Sequence, residues 1–96
     1  MNKMEEIAAK IIKEQELIIG PIAWHEAEQV VGLTFDNHTS VQISGGAGDP
    51  KTVVDQLVSR YERLFGRASR EASKEAVAGL IAELAPSDIP SSLRIA

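Results

Sequence analysis

Ninety-six residues with 10 basic and 14 acidic side chains, 44% hydrophobic and 25% charged, describe one small acidic domain of ordinary globular balance. A chain of this length buries roughly 64% of its unfolded surface, enough for one modest core without staples. The absence of cysteine excludes disulfides, thiolate zinc sites, iron–sulfur clusters and cysteine nucleophiles, and the net charge of −4 argues against a general polyanion binder.

The opening run Met1-Asn2-Lys3-Met4-Glu5-Glu6 is charged where a secretory signal needs an apolar stretch. No apolar run approaches the length of a membrane span. A cytoplasmic location with no membrane partner is therefore expected. Asn37-His38-Thr39 has the form of a glycosylation sequon but reads as turn chemistry.

Taken in chain order, Met4, Ile7, Ala8, Ile11, Ile12, Gln15, Ile18 and Ile19 form a helical stripe with one polar interruption at Gln15. Gly20-Pro21 punctuates it, and a second helix from Pro21 to about Val31 turns Ala23, Ala27, Val30 and Val31 inward. Trp24, beside that corner, is expected between the two helices. Leu33 and Phe35, then Val41 and Ile43, alternate with polar residues around Asp36-Asn37-His38-Thr39, which predicts a β-hairpin over 32–44. Asp49-Pro50 starts a helix whose pattern continues to Leu84, interrupted by Gly66. Two helices meeting near Gly66 are favoured, with Leu57, Leu64, Ala68 and Ala72 facing the core. The predicted fold is α+β and mostly helical, in the order α-α-β-β-α-α, with one hairpin packed on the helices. One domain spans 1–96, and 85–96 form a less regular tail that Ile89, Leu93 and Ile95 pin down.

Several constellations invite a functional reading. Gly45-Gly46-Ala47-Gly48-Asp49-Pro50-Lys51-Thr52 nearly matches the phosphate-cradling pattern G-x-x-x-x-G-K-[ST], but Pro50 stands at the second glycine and removes a backbone donor. A nucleotide hydrolase is rejected on that ground. Anion binding through Gly46, Gly48, Lys51 and Thr52 is retained as a subsidiary expectation, with Asp49 opposing it. His25-Glu26-Ala27-Glu28-Gln29 is one residue short of H-E-x-x-H, and a metal site from His25, Glu28 and His38 would need the hairpin to fold back. No metal or cofactor is expected. No carboxylate pair sits in an apolar setting that would separate two pKa values, so the chain reads as non-enzymatic.

The basic series Arg60, Arg63, Arg67, Arg70 and Lys74 steps by 3, 4, 3 and 4, spaced to line one face of a continuous helix. Against the acidic first half of the chain it suggests docking to an acidic partner, including a second copy. Four arginines rather than lysines suit bidentate contacts, and their exposure is expected. Acidity overall works against nucleic acid. A lone hairpin with open edges adds a second reason to expect a homo-oligomer. The favoured function is thus a non-enzymatic interaction or regulatory accessory module that self-associates. The alternative is a small-molecule or anion sensor using loop 45–52 and the adjacent hairpin. A flat apolar patch would favour the first, a pocket with converging polar groups the second.

Overall fold

The computed structural model describes residues 3–36, 40–44 and 48–94, with Asp36 and Ser40 described by backbone alone. The elements follow the expected order: α1 (Lys3–Ile19), α2 (Ile22–Ala27), β1 (Leu33–Asp36), β2 (Ser40–Ile43), α3 (Pro50–Phe65) and α4 (Arg67–Ile81). Single 3-10 turns at Pro86–Asp88 and Ser91–Leu93 shape the tail. The fold is mostly helical α+β with one antiparallel hairpin. Among the described residues no helix is long and apolar enough to cross a membrane.

Helix α1 buries Ile7, Ala8, Ile11, Ile12 and Gln15 along one stripe. It runs antiparallel to α4, because Lys3 Nζ meets Glu83 Oε1 at 2.8 Å at one end while Gln15 reaches Ser69 near the other. The Lys3 ammonium holds the Glu83 carboxyl below its usual range, and Glu83 raises Lys3 in return. Gly20 ends α1 at φ +81°, a left-handed conformation that brings its N–H onto the Glu16 carbonyl.

Helix α2 is shorter than expected. It stops at Ala27, after which Gln29 N–H bonds Glu26 O and Val30 N–H bonds Ala27 O, tightening the chain into a turn. Val31 consequently points outward, correcting the inward placement that helical spacing implied. Trp24 is buried as expected, its ring edge-on to Phe35 with centroids 5.6 Å apart.

The hairpin pairs Leu33 with Ile43 and Phe35 with Val41. These four side chains share one face, with Leu33 and Val41 buried and Phe35 and Ile43 packed against the core. Glu5 Oε2 on α1 accepts the Ile43 N–H at 2.8 Å, so α1 satisfies a donor on the β2 edge. The predicted turn at 37–39, with His38, and loop residues 45–47, with Gly46, lie outside the described residues.

Asp49 caps α3 through the Lys51 N–H, and Pro50 occupies the first turn. Val53, Val54, Leu57, Val58 and Tyr61 form its buried face. Gly66, at φ +91° and ψ 179°, separates α3 from α4 as the pattern predicts. The buried face of α4 differs from expectation. Ser69, Ser73 and Val77 are inside, whereas Ala68 is exposed and Ala72 half-buried. Apolar spacing misplaced this face because small hydroxyls facing Gln15 bury as well as alanine does once they are hydrogen-bonded.

Candidate functional site

Breaking the helix at Gly66 divides the basic series. Arg60 donates from Nε to Glu26 Oε1 at 2.9 Å, with its Nη2 ion-paired to the same oxygen at 2.9 Å, and is half-buried. Next to it, Tyr61 donates its hydroxyl to the Ala23 carbonyl at 2.6 Å. Consecutive residues of α3 thus latch α2 in place. Burial first, and the charge of Glu26 second, push the Tyr61 phenol well above its ordinary value, with Arg60 opposing. Arg70 donates to the Ser92 carbonyl at 3.3 Å and lies 3.8 Å from Glu62, and Lys74 lies 3.6 Å from Glu71. Only Arg63 and Arg67 of the five are exposed and without an ion pair among the described residues. The expected exposure of Arg60 and Arg70 is corrected accordingly, since α2 brings Glu26 beside Arg60 and the fold-back at Gly66 turns Arg70 toward Glu62 and the tail.

Of the donors expected to hold an anion, the Lys51 and Thr52 N–H groups and the Lys51 ammonium are engaged within the chain. Asp49 takes the Lys51 N–H through its side chain and the Thr52 N–H through its carbonyl, both at 2.9 Å. Lys51 Nζ donates to Ser87 O at 2.7 Å and sits 3.9 Å from Asp49. Gly48 is exposed at φ +93°. An open groove of about 570 Å³ runs between the turn at 29–31 and α3. Asp55, which lines it, is committed to the tail: one oxygen accepts from Ser92 N and Oγ, the other from Ser91 N and Oγ. Among the described residues no three His, Asp or Glu side chains gather as a metal site.

An apolar surface at one end of the molecule stands out instead. Leu17 is 82% exposed, Ile18 57%, Leu64 48%, Ile22 44% and Phe65 38%. Their common location follows from the contacts beneath them. Glu26 pairs with Arg60, and Ala23 with Tyr61, so one turn outward on each helix brings Ile22 toward Leu64. Gln15 meets Ser69, so the next turn of α1 carries Ile18 toward the α3–α4 corner and Phe65. Ile18, Leu64 and Phe65 continue the core-facing stripes of their helices beyond the point where those helices have neighbours.

Charged side chains stand in or next to the same helix turns. Glu14 precedes Leu17 by three residues and Ile18 by four, so it borders both, and Glu16 lies in the same last turn. Arg63, in the last turn of α3, lines the groove beside the 29–31 turn, and Arg67 opens α4. Among the described residues Glu14 and Glu16 also have no ion pair. Glu16 in the last turn of α1 and Arg67 at the uncapped start of α4 each oppose their own helix dipole, whereas Arg63, in the last turn of α3, favours its own.

Sequence reasoning singled out Arg63 and Arg67 but missed Leu17, Ile22 and the exposure of Ile18, Leu64 and Phe65. Helical spacing carried no signal for this exposure, because the six-residue length of α2 that leaves these stripes uncovered emerges only in the fold. No protein-family model, curated protein or solved structure matches the chain.

Proposed function

We propose that this chain is a non-enzymatic protein-interaction module that works by self-association. One observation carries this reading: five large apolar side chains, Leu17, Ile18, Ile22, Leu64 and Phe65, are 38–82% exposed, and they sit in the last turns of α1 and α3 and the first turn of α2. Together they present an area on the order of 500 Å², in the upper range for the largest apolar patch of a monomer. Leu17 lies on the face of α1 away from Gln15, so two copies meeting through the other four side chains cover about 700 Å² of apolar surface in all, in the range of a weak, transient interface. The sensor reading has less support, because Lys51, Thr52 and Asp55 spend their polar groups on intramolecular bonds.

Sedimentation equilibrium from micromolar to millimolar concentration tests the proposal. The expected result is a mass rising from 10.4 kDa toward twice that value, with Ile18→Glu plus Leu64→Glu holding the protein at the lower mass. A wild-type mass of 10.4 kDa throughout overturns self-association.

A further inference from the structure

We infer that α3 and α4 together form a recognition site for a short Pro-Ser-Ser-Leu segment, and that the chain's own Pro90–Leu93 fills it as a strap which a segment of the same chemistry from another protein displaces. The inference goes beyond self-association and does not depend on it. Three observations lead to it. First, the Ser91–Leu93 turn packs on both α3 and α4, and the contacts read it residue by residue. Asp55 on α3 accepts the N–H and hydroxyl of Ser91 on one carboxylate oxygen and those of Ser92 on the other. Arg70 on α4 donates to the Ser92 carbonyl at 3.3 Å. Pro90 and Leu93, on either side of the two serines, are buried. A carboxylate used in this way calls for hydroxyls at two successive positions, and the socket beside it calls for an apolar residue next.

Second, the latch lies near the surface. Ser91 is exposed, and Ser92, Asp55 and Arg70 are half-buried. Lifting the strap therefore hands these polar groups to water instead of leaving them unpaired in the core, the condition under which a segment opens locally at low cost. Third, the strap does not fill the surface it crosses. An open cavity of about 490 Å³ lies between Ile81 of α4 and Pro86, Ser87, Ile89 and Arg94 of the tail. Another of about 300 Å³ lies between Leu93 and Ala78, Ile81 and Ala82 of α4. Close packing through the interior leaves no such space beside a structural segment. A tethered strap competes with a free segment at an effective concentration in the millimolar range, which sets the level at which displacement begins.

The probe is a synthetic peptide of residues 86–94, blocked at both ends and carrying a fluorophore, and the readout is its anisotropy on the full chain. Leu93→Ser removes the anchor of the resident strap and leaves Asp55 and Arg70 in place. That variant should bind the peptide at least about tenfold more tightly than the wild type, whose site is already filled. Adding Asp55→Ala to it, or making Ser91→Ala and Ser92→Ala in the peptide, should reverse the gain. Equal binding by wild type and Leu93→Ser, or binding that survives the loss of Asp55, overturns the site. Circular dichroism recorded alongside shows whether the variant folds. If Leu93→Ser loses its helical signal, the wild type decides by hydrogen exchange. With unlabelled peptide at millimolar concentration, its Ser91 and Ser92 amides should exchange at least about twofold faster as the strap is displaced. Exchange that is unchanged by the peptide overturns the inference.

Discussion

Gln15 on α1 and Ser69 on α4, 54 residues apart, exchange two hydrogen bonds in the interior: the Gln15 amide donates to the Ser69 carbonyl at 2.9 Å, and the Ser69 hydroxyl donates to Gln15 Oε1 at 2.8 Å. The same Gln15 amide nitrogen donates to Ser73 Oγ at 3.0 Å, and Ser73 returns its own proton to the Ser69 carbonyl. With Gln15 and Ser73 both 0% exposed, this is a satisfied polar network inside an otherwise apolar core. It sets the register of α1 on α4, because sliding either helix by one residue would bury these groups unpaired.

Replacing Gln15 with Ala should therefore destabilise the fold by about 1–3 kcal/mol, the cost of leaving buried partners unsatisfied. Urea unfolding measures it. The combination Gln15→Leu, Ser69→Ala and Ser73→Ala removes every member of the network and should recover most of that loss. A triple variant as unstable as the single one would show that packing, not polar satisfaction, matters at this position.

Tyr61 predicts an alkaline instability. Its phenol is held protonated above the ordinary value of about 10, so the folded form keeps a proton that the unfolded form loses. The stability this contributes is complete below pH about 10 and declines as pH rises beyond it. Because Tyr61 is the sole tyrosine, the phenolate absorbance band reports it directly. That band should emerge together with unfolding rather than before it. Tyr61→Phe should remove this alkaline slope while costing about 0.5–1.5 kcal/mol at neutral pH for the lost bond to Ala23.

Asp55 should govern the tail. Its carboxylate accepts the backbone N–H and hydroxyl of both Ser91 and Ser92, which holds Pro90 and Leu93 against the helices. Asp55→Ala is expected to cost about 1–2 kcal/mol, in the range of a lost helix cap. Limited proteolysis should then cut the 86–94 segment faster than the wild type while leaving α1 to α4 protected. Equal rates of cleavage would mean that burial of Leu93 alone retains the tail.

Two glycines should respond in opposite directions. Gly66 has an extended positive-φ conformation, so Gly66→Ala should destabilise by about 1–3 kcal/mol although the space beside it is open. Gly79 lies inside α4 with nothing within 4 Å of an added Cβ. Gly79→Ala should stabilise by about 0.5–1 kcal/mol through helix propensity. Thermal unfolding of the two variants separates these effects.

Much of this architecture was written in local patterns. The element order, the hairpin, the Asp49-Pro50 helix start and the division at Gly66 each depend on periodicity or backbone chemistry within a few residues, and all are present in the fold. The length of α2 was not legible in the same way, since its end depends on a turn that competes with helical spacing over only four residues.

What the chain determines by itself is which faces are apolar and where regular structure must stop, because those follow from side-chain spacing, proline and glycine. Which of those faces meet a neighbour is a tertiary matter. Gln15 read as a flaw in an apolar stripe until Ser69 and Ser73 were brought opposite it. Arg60 read as a docking residue until Glu26 arrived beside it. Leu64 read as core, and only the relative reach of the packed helices left it half in solvent. Spacing defines a face, but burial depends on how far the opposing element extends, and that is decided only when the helices pack.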